Sequence, residues 1–471
     1  MGIVINQGVD RFKEAVDSKI YVDKTLLLKY CNSVIKTQQK YICISRPRRF
    51  GKTIAASMIA AYYDRSVDSR QLFDSLNISK VDSYLSHINK YNVISINIQD
   101  YLDIAGSIDK VILSIKSDIF SDLQDEQDMG SMESEQSLSR ILMDYYRICK
   151  VPFVFVFDEW DSVFRNKGYS IEDQERFLDF LRELLKDRTY VALAYMTGIL
   201  PIKKYGTHSA LNMFDEFSME EPGELAEFVG FTESEVKSLC KEYKISFQKC
   251  KEWYDGYSFT KCKSVYNPKS IVSVMLSGLF SDYWNQTETY EALRIYIDMN
   301  YDELRDSILA MMSLSHIVIN TGSFTNDLNT FSNADDVMTL LIHLGYLAFD
   351  ETTEQAYLPN KEVRMCFEDT LEDTGWDNVI RAVEQSEKLL RATIAGDEEE
   401  VAEQIDICHR ENTSILNYHD ENSLASCITL AYYTARNDYR IIREMPAGYG
   451  FADMVFVPLQ DRNRSEEHTS E

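Results

Sequence analysis

One stretch of the sequence, residues 41–53 (YICISRPRRFGKT), most constrains what this chain can fold into. Its first five residues predict a buried β-strand, and Gly51, Lys52 and Thr53 predict the start of a helix. A strand, a loop and a helix start in this order are typical of a phosphate-binding loop. In such a loop backbone N–H groups hold an anion, a lysine contacts the outer phosphates and a hydroxyl can bind Mg²⁺.

The match to the pattern G-x-x-x-x-G-K-[ST] is imperfect, because Arg46 stands where the first glycine is expected. On this stretch alone, a basic turn between a strand and a helix is therefore an alternative interpretation. The helix that follows is predicted to have an apolar face made of Ile54, Met58, Ile59 and Tyr62.

Composition limits the classes of protein to consider. A chain of 471 residues is too long for one core, so two or three domains are expected. A net charge of -27 argues against a broad basic surface for nucleic acid or an anionic membrane. Nine scattered cysteines without a C-x-x-C pair favour reduced thiols over a zinc site. The chain has no leader pattern and no apolar run long enough to span a bilayer, so a cytoplasmic protein is expected.

A pair of acidic residues supplies a candidate partner for the loop. Residues 153–157 (FVFVF) predict a fully buried strand, and Asp158 and Glu159 follow it directly. At the carboxyl end of a parallel strand, the first acid can hold Mg²⁺ through water and the second can polarise the attacking water. A solvated strand end is the alternative, but a pair downstream of GKT favours function. The next predicted strand, residues 190–196, leads to Thr197, where a γ-phosphate would lie.

The order of patterns predicts several regions. Strands alternate with helices as far as about residue 219, which predicts an α/β nucleotide-binding domain with a doubly wound, mostly parallel sheet over residues 1–220. Helices, including one over 223–229, then predict a helical, winged-helix-like lid over 221–370. Residues 371–458 are predicted to form an acidic helical spacer followed by a partial α/β fragment.

Several short blocks recur in an order that resembles a known family. They are YVDKT, RPRRFGKT, VFDEWD, MTGILPI, LNMFDEF, WYDGYSF, VYNPKSI, LPNKEVR and GYGFADMVF. In this order the chain resembles bacterial AAA-ATPase-like proteins that carry a C-terminal PD-(D/E)xK nuclease-like domain. Arginine also replaces the first glycine in that family's loop, so Arg46 is the expected residue there. The resemblance implies the P-loop NTPase fold for the first domain.

The resemblance also implies a role for each site residue. Lys52 would contact the β- and γ-phosphates, Thr53 and Asp158 would hold Mg²⁺, Glu159 would be the hydrolytic acid and Thr197 a sensor of the γ-phosphate. The loop residues expected to contact the nucleotide are Arg46, Arg48, Arg49, Phe50, Gly51, Lys52 and Thr53. The pattern fixes no role for the three arginines, and phosphate contacts and interdomain ion pairs are equally supported.

For the nuclease-like part, the resemblance implies acids at Glu421 and Glu444 and a metal-binding Asp453. The chemistry also needs a following strand with E-x-K, because two carboxylates share a divalent metal while the lysine orients the attacking water. This chain lacks that strand. Residues 459–471 (LQDRNRSEEHTSE) depart from the family and are predicted to be a foreign tail, so the nuclease-like part is predicted to be incomplete.

The resulting hypothesis is a switch protein that binds Mg-ATP, hydrolyses it and is coupled to an incomplete nuclease-like effector. Its predicted cofactors are ATP and Mg²⁺. Two alternatives are an ATP-regulated, metal-dependent DNA nuclease in the full-length parent and a non-catalytic interaction module with a degenerate nucleotide fold. Nucleic acid could bind only locally, because the net charge opposes it, and the oligomeric state is open.

Overall fold

A computed structural model of the chain describes residues 2–126, 137–202, 211–284, 293, 304–312, 315–324, 331–372, 377–412, 431–432, 435, 439–447 and 450–458. The chain divides into two compact units. One contains residues 1–289 and 318–363, and the other contains residues 290–317 and 364–471. Among the described residues, no helix is both long and apolar enough to cross a membrane. The predicted boundaries at 220 and 370 stay predictions.

The strands in chain order are β1 (Tyr41–Ser45), β2 (Asn92–Asn97), β3 (Phe153–Asp158), β4 (Val191–Gly198), β5 (Asp215–Phe217), β6 (Phe231–Thr232), β7 (Tyr257–Phe259), β8 (Cys262–Tyr266), β9 (Ile317–Val318), β10 (Ala348–Asp350), β11 (Gln355–Tyr357), β12 (Tyr439–Ala447) and β13 (Gly450–Pro458). The helices are α1 (Asp10–Val16), α2 (Leu27–Val34), α3 (Lys52–Tyr63), α4 (Arg70–Phe73), α5 (Tyr84–His87), α6 (Ile98–Ala105), α7 (Ile108–Glu126), α8 (Leu138–Cys149), α9 (Ser162–Arg165), α10 (Ile171–Leu185), α11 (Glu233–Tyr243), α12 (Phe247–Tyr254), α13 (Pro268–Ser277), α14 (Leu304–Met312), α15 (Ala334–Leu344), α16 (Lys361–Glu372), α17 (Asp377–Ala395) and α18 (Glu398–Asn412).

The core of the first unit is a parallel sheet of five strands in the order β2-β3-β4-β1-β5. Every residue of β1, β3 and β4 is buried, because helices cover the sheet. The strand that leads into the phosphate-binding loop lies between β4 and β5, and the strand that carries the acid pair is separated from it by β4. This confirms the predicted parallel α/β architecture, which is that of a P-loop NTPase.

Pairing of the strands moves two predicted boundaries. Asp158 pairs with Thr197, so β3 extends beyond the predicted run 153–157. Gly198 pairs with Ser45, so β4 extends beyond residue 196. Asp158 and Thr197 therefore lie inside strands. The ladder extends because parallel neighbours reach the same edge of the sheet. Glu159 is then the first residue beyond β3.

The region from residue 221 to the end of the first unit contains short sheets and capped helices. β8 is the central strand of the sheet β6-β8-β7, and β10 and β11 pair as an antiparallel hairpin. Thr232 and Glu235 form a capping box at the start of α11, as the Ser/Thr-x-x-Glu pattern predicts. The predicted helix over 223–229 is wrong: only a 3₁₀ turn, Gly223–Leu225, forms, because Gly223 and Gly230 have positive φ angles.

The second unit contains the acidic helical segment, which divides into α17 and α18, and the antiparallel hairpin of β12 and β13. Leu389 and Leu390 of α17 pack in a small core with Tyr432. Glu421 and the predicted tail 459–471 lie outside the described residues.

Glu362, on α16, is a carboxylate buried inside the first unit. It accepts hydrogen bonds from the Ser270 hydroxyl at 2.8 and 3.0 Å and from the backbone N–H groups of Tyr283 and Trp284 at 2.8 and 3.1 Å. Burial raises the pKa of Glu362 to about 7, although these hydrogen bonds act in the opposite direction.

Because the folded-state pKa of Glu362 lies above the value of 4.5 for an unperturbed glutamate, ionisation favours the unfolded state. The stabilisation of the protonated form is lost as the pH rises towards 7. We expect Glu362→Gln to be more stable than wild type at pH 8 by about 2–3 kcal/mol, and nearly equal to it at pH 5. Thermal unfolding at the two pH values measures this. The exposed Glu242 gives the control, Glu242→Gln, and an equal effect of both substitutions at pH 8 would contradict the prediction.

Candidate nucleotide-binding site

The loop after β1 has the backbone conformation of a tight turn into a helix. The N–H of Arg46 donates to the carbonyl oxygen of Gly198 at 3.0 Å, which fixes the start of the loop beside the end of β4. Arg49 and Gly51 have φ angles of 69° and 93°, in the left-handed region. Gly51 caps α3, which begins at Lys52. The loop therefore ends at the N-terminus of a helix, where unpaired N–H groups favour an anion.

Lys52 is held inside the loop. Its side chain is buried and Nζ donates to the carbonyl oxygen of Pro47 at 3.0 Å. Burial lowers the pKa of Lys52, while the carboxylates of Glu159, Asp161 and Asp158 oppose that change. A cation at the loop and three anions beside it therefore share one small volume.

Thr53 and Asp158 meet at the same place. Burial raises the pKa of Asp158 to about 6, and the neighbouring Thr53 hydroxyl acts in the opposite direction. Thr197 pairs with Asp158 across β3 and β4 and is itself fully buried. Among the described residues, the Thr197 hydroxyl has no hydrogen-bond partner. Hydroxyl and carboxylate oxygens are the ligands that Mg²⁺ prefers, so these residues fit the predicted metal.

Glu159 lies just beyond the strand. Its φ angle is 52°, which turns the chain away from the line of β3. Its carboxylate accepts a hydrogen bond from Arg165, and its side chain keeps an exposed fraction of 24%. Glu159 is thus held by Arg165 and also lines the cavity over the loop.

A cavity of about 990 Å³ lies over the loop. The loop and the first turn of α3 form its floor. Its walls come from the N-terminal segment and from the helical region of the same unit. The residues that line it include Ile20, Tyr21, Val22, Arg48, Arg49, Phe50, Gly51, Lys52, Thr53, Ile54, Glu159, Phe228, Phe231, Lys269 and Val272. Ile54 was predicted to face the core, but it is 48% exposed, because the first turn of α3 faces this cavity.

The three loop arginines differ. Arg48 and Arg49 line the cavity, as a phosphate contact requires. Arg46 has different surroundings from the other two arginines. Arg46 is fully buried, does not line the cavity, and its Nη1 donates to the carbonyl oxygens of Ser45, Phe217 and Ser218 at 2.8, 3.1 and 2.7 Å. The ends of β1 and β5 therefore hold its guanidinium, and its two predicted roles stay predictions.

The loop also packs against the helical region. The Phe50 ring meets the Tyr257 ring edge to face at 5.4 Å, and the Arg46 guanidinium lies 5.4 Å from the centre of the Phe259 ring. Asn267 Nδ2, at the start of α13, donates to the Arg48 carbonyl oxygen at 3.5 Å. These contacts explain why bulky residues occupy loop positions where the general pattern is indifferent or expects glycine.

Sequence reasoning missed the walls of the cavity and two ion pairs. Within the block YVDKT, Tyr21 lines the cavity and Lys24 pairs with Glu235 at 2.6 Å. The sequence pattern predicts neither contact. Nor was the pairing of Arg165 with Glu159 predicted, although Arg165 ends the short helix α9 that follows the acid pair.

Two of the three predicted nuclease-like acids belong to the hairpin of the second unit. Glu444 and Asp453 lie on β12 and β13, and Glu421 is outside the described residues. Within the part of the chain whose side chains are described, no group of three or more His, Cys, Asp or Glu side chains could hold a metal ion.

Comparison with known proteins covers the same region. Residues 6–207, less than half of the chain, match the family model AAA-ATPase_like, described as a predicted AAA-ATPase. Over this region the chain is similar to that family. The region contains the loop, the acid pair and Thr197. No curated protein matches the chain.

Thirteen chains of solved structures match. The Walker-type ATPase of Pyrococcus abyssi is 14% identical, with a TM-score of 0.37, over 73% of this chain and 94% of that chain. The ORC2 protein of Aeropyrum pernix, solved as ADPNP-ADP complexes, is 12% identical, with a TM-score of 0.34, over 80% of this chain and 98% of that one. Cdc6p from Pyrobaculum aerophilum is 9% identical, with a TM-score of 0.24, over 78% and 96%.

The contact between the loop and the helical region can be tested at Gly345, which ends α15 with a φ of 89°. A Cβ at Gly345 would lie 2.7 Å from Cγ of Pro47. We expect Gly345→Ala to lower the melting temperature clearly more than Gly278→Ala. Gly278 ends α13 with a φ of 74°, and a Cβ there meets no atom within 4 Å. The control carries only the backbone cost, about 1 kcal/mol. Equal shifts for the two variants would contradict a tight contact at Pro47.

Proposed function

We propose that this protein binds Mg-ATP, hydrolyses it, and uses the nucleotide state as a switch that acts on its own helical region. One observation carries this proposal: Lys52, the Thr53–Asp158 pair and Glu159 converge at the carboxyl edge of one parallel sheet. A phosphate-binding loop beside an acid pair is the arrangement that phosphoryl transfer to water requires.

The residues of the loop would hold the phosphates. Lys52 would exchange its contact with the Pro47 carbonyl oxygen for the outer phosphates, and the amides at the start of α3 would surround them. Arg48 and Arg49 line the cavity and can add positive charge. Thr53 and Asp158 would hold Mg²⁺, which supplies charge neutralisation on the phosphate oxygens when it is bound.

The other end of the cavity suits a purine base and ribose. Ile20, Val22, Phe228, Phe231 and Val272 give it an apolar lining. A cavity of about 990 Å³ is at the upper end of the range usual for small-molecule sites. The apolar walls and the cationic floor match the two halves of a nucleoside triphosphate.

Hydrolysis would use the acid beyond β3. Glu159 lines the cavity and can orient a water molecule for attack on the terminal phosphorus. Thr197, whose buried hydroxyl lacks a partner among the described residues, can donate to the γ-phosphate or to the water, which is the predicted sensor role.

The switch would act through the packing of the loop. Phe50 and the Arg48 carbonyl oxygen contact Tyr257 and Asn267 of the helical region. A change of loop conformation on binding or loss of the γ-phosphate therefore changes contacts that also hold α13 and β7. Differential contact in two nucleotide states is what a switch needs.

A nuclease-like effector is the second candidate, and one backbone observation favours it. Arg443 pairs with Met454, so the next residues, Glu444 and Asp453, occupy opposed positions on β12 and β13. Opposed backbone positions lie at the same level of the two strands, and the nuclease chemistry predicted for this part of the chain needs two acidic residues for one metal ion. The comparisons with known proteins give this effector no support. Nucleic-acid binding and oligomer formation likewise stay predictions.

Binding can be tested at Lys52. We expect Lys52→Ala to weaken binding of a fluorescent ATP analogue in the presence of Mg²⁺ by about tenfold or more, because the charge-assisted contact with the phosphates is lost. A fluorescence titration measures the Kd. The control is Lys29→Ala at an exposed position of α2, which should bind as wild type does. Unchanged affinity of Lys52→Ala would refute the binding site.

Hydrolysis can be tested at Glu159. We expect Glu159→Gln to retain nucleotide binding and to lower kcat by about 10²-fold, because the amide cannot accept the proton of the attacking water. Phosphate release measures the rate. Binding without turnover in wild type would instead favour the third hypothesis, a non-catalytic interaction module.

A further inference from the structure

Arg165 is the last residue of α9, and its guanidinium joins two of the acids beside the loop. Nε donates to Oδ2 of Asp161 at 3.0 Å, and Nη2 donates to Oε2 of Glu159 and to the Ser162 hydroxyl at 2.9 Å. The side chain is only 15% exposed. A planar guanidinium with several partners has a fixed orientation, so it can fix the orientation of a carboxylate.

The oxygen of Asp161 that accepts from Arg165 also contacts the turn after β4. Asp161 is fully buried, and its Oδ2 also accepts from the backbone N–H groups of Ile199 and Leu200 at 3.0 and 2.8 Å. These residues follow Thr197 and Gly198 directly. A continuous chain of hydrogen bonds therefore runs from the segment beyond Thr197, through Asp161 and Arg165, to Glu159.

The contact with Arg165 engages one oxygen of Glu159. Oε2 accepts from Arg165, and Oε1 has no partner among the described residues. A carboxylate held by one oxygen keeps the other for a water molecule. The positive φ of Glu159 turns the backbone out of the line of β3. The hydrogen bond from Arg165 then fixes the position of the Glu159 carboxylate.

We propose that Arg165 and Asp161 are positioning residues for Glu159, which hold its carboxylate for water activation and tie its position to the turn after Thr197. This inference rests on the proposed ATP hydrolysis and deepens it. Neither residue lines the cavity over the loop. Arg165 acts through Glu159, and Asp161 acts through Arg165.

A purely structural ion pair would give a different pattern of effects. Loss of a partly buried pair lowers stability whatever Glu159 does. Loss of a positioning contact lowers kcat with little change in nucleotide affinity, and this effect disappears when Glu159 can no longer act. A double-mutant cycle between the two positions separates these cases.

The experiment compares wild type, Arg165→Gln, Arg165→Lys, Glu159→Gln and the double variant Arg165→Gln/Glu159→Gln. Arg165→Gln is expected to lower kcat about tenfold or more, with KM within about twofold of wild type. Arg165→Lys keeps a positive donor and is expected to recover part of the rate. The double variant is expected to be no slower than Glu159→Gln alone.

A second readout uses protein without nucleotide. If the two side chains interact, the melting-temperature shift of the double variant is smaller than the sum of the two single shifts. Arg176→Gln is the control, because Arg176 pairs with Asp109 on the surface at 2.9 Å, away from the site. Arg176→Gln is expected to leave kcat and KM unchanged. Combined with Glu159→Gln, it is expected to give additive melting-temperature shifts.

Three outcomes overturn the proposal. The first is an unchanged or raised kcat in Arg165→Gln. The second is a loss of rate from Arg165→Gln that is as large in the Glu159→Gln background as in wild type. The third is a melting-temperature shift of the double variant equal to the sum of the two single shifts. Absence of ATP turnover in wild type would instead overturn the proposed function, which this design detects separately. If Arg165→Gln fails to fold, Arg165→Lys carries the same test, with the coupling again measured against Glu159→Gln.

Discussion

The buried guanidinium of Arg46 is the interaction on which the rest of the site depends. Burial of a cation is costly unless polar groups surround it, and here three carbonyl oxygens at the ends of β1 and β5 accept from Nη1. Burial lowers its pKa to about 10. Its Nε and Nη2 have no hydrogen-bond partner among the described residues, and the Phe259 ring covers the group. The start of the loop is thereby fixed both to the sheet and to the helical region.

This arrangement gives the loop a different design from a glycine-rich one. Glycine at the first position would let the backbone curve freely but could not bridge β1, β5 and β7. Arginine supplies the bridge, and Gly51 retains the one position where a left-handed backbone must precede the helix. The positive φ of Arg49 shows that the loop accepts some backbone strain, which the packing of Phe50 against Tyr257 can stabilise.

The sequence predicted the parts of the site that local patterns encode. The apolar run 153–157 predicted β3, and the position of Asp158 and Glu159 at the end of that run followed from the edge rule for parallel sheets. The burial of Arg46 could not be predicted, because its partners lie some 170 residues further along the chain. The cavity walls were missed for the same reason. An aromatic such as Phe228 has no periodicity that distinguishes a core position from a cavity wall.

The sheet and the helical region belong to one compact unit, and this determines how a bound nucleotide would act on them. Residues 1–289 and 318–363 form one compact unit, so the sheet and the helical region that follows it are not separate bodies there. Lys24 connects the N-terminal wall of the cavity to α11 through Glu235 and through the carbonyl oxygen of Glu227 at 2.7 Å. A ligand in this cavity contacts the floor and both walls at once. Its binding free energy therefore stabilises their common arrangement. A switch built this way need not move two independent domains, because small changes at the loop alter packing inside a single core that is intolerant of gaps.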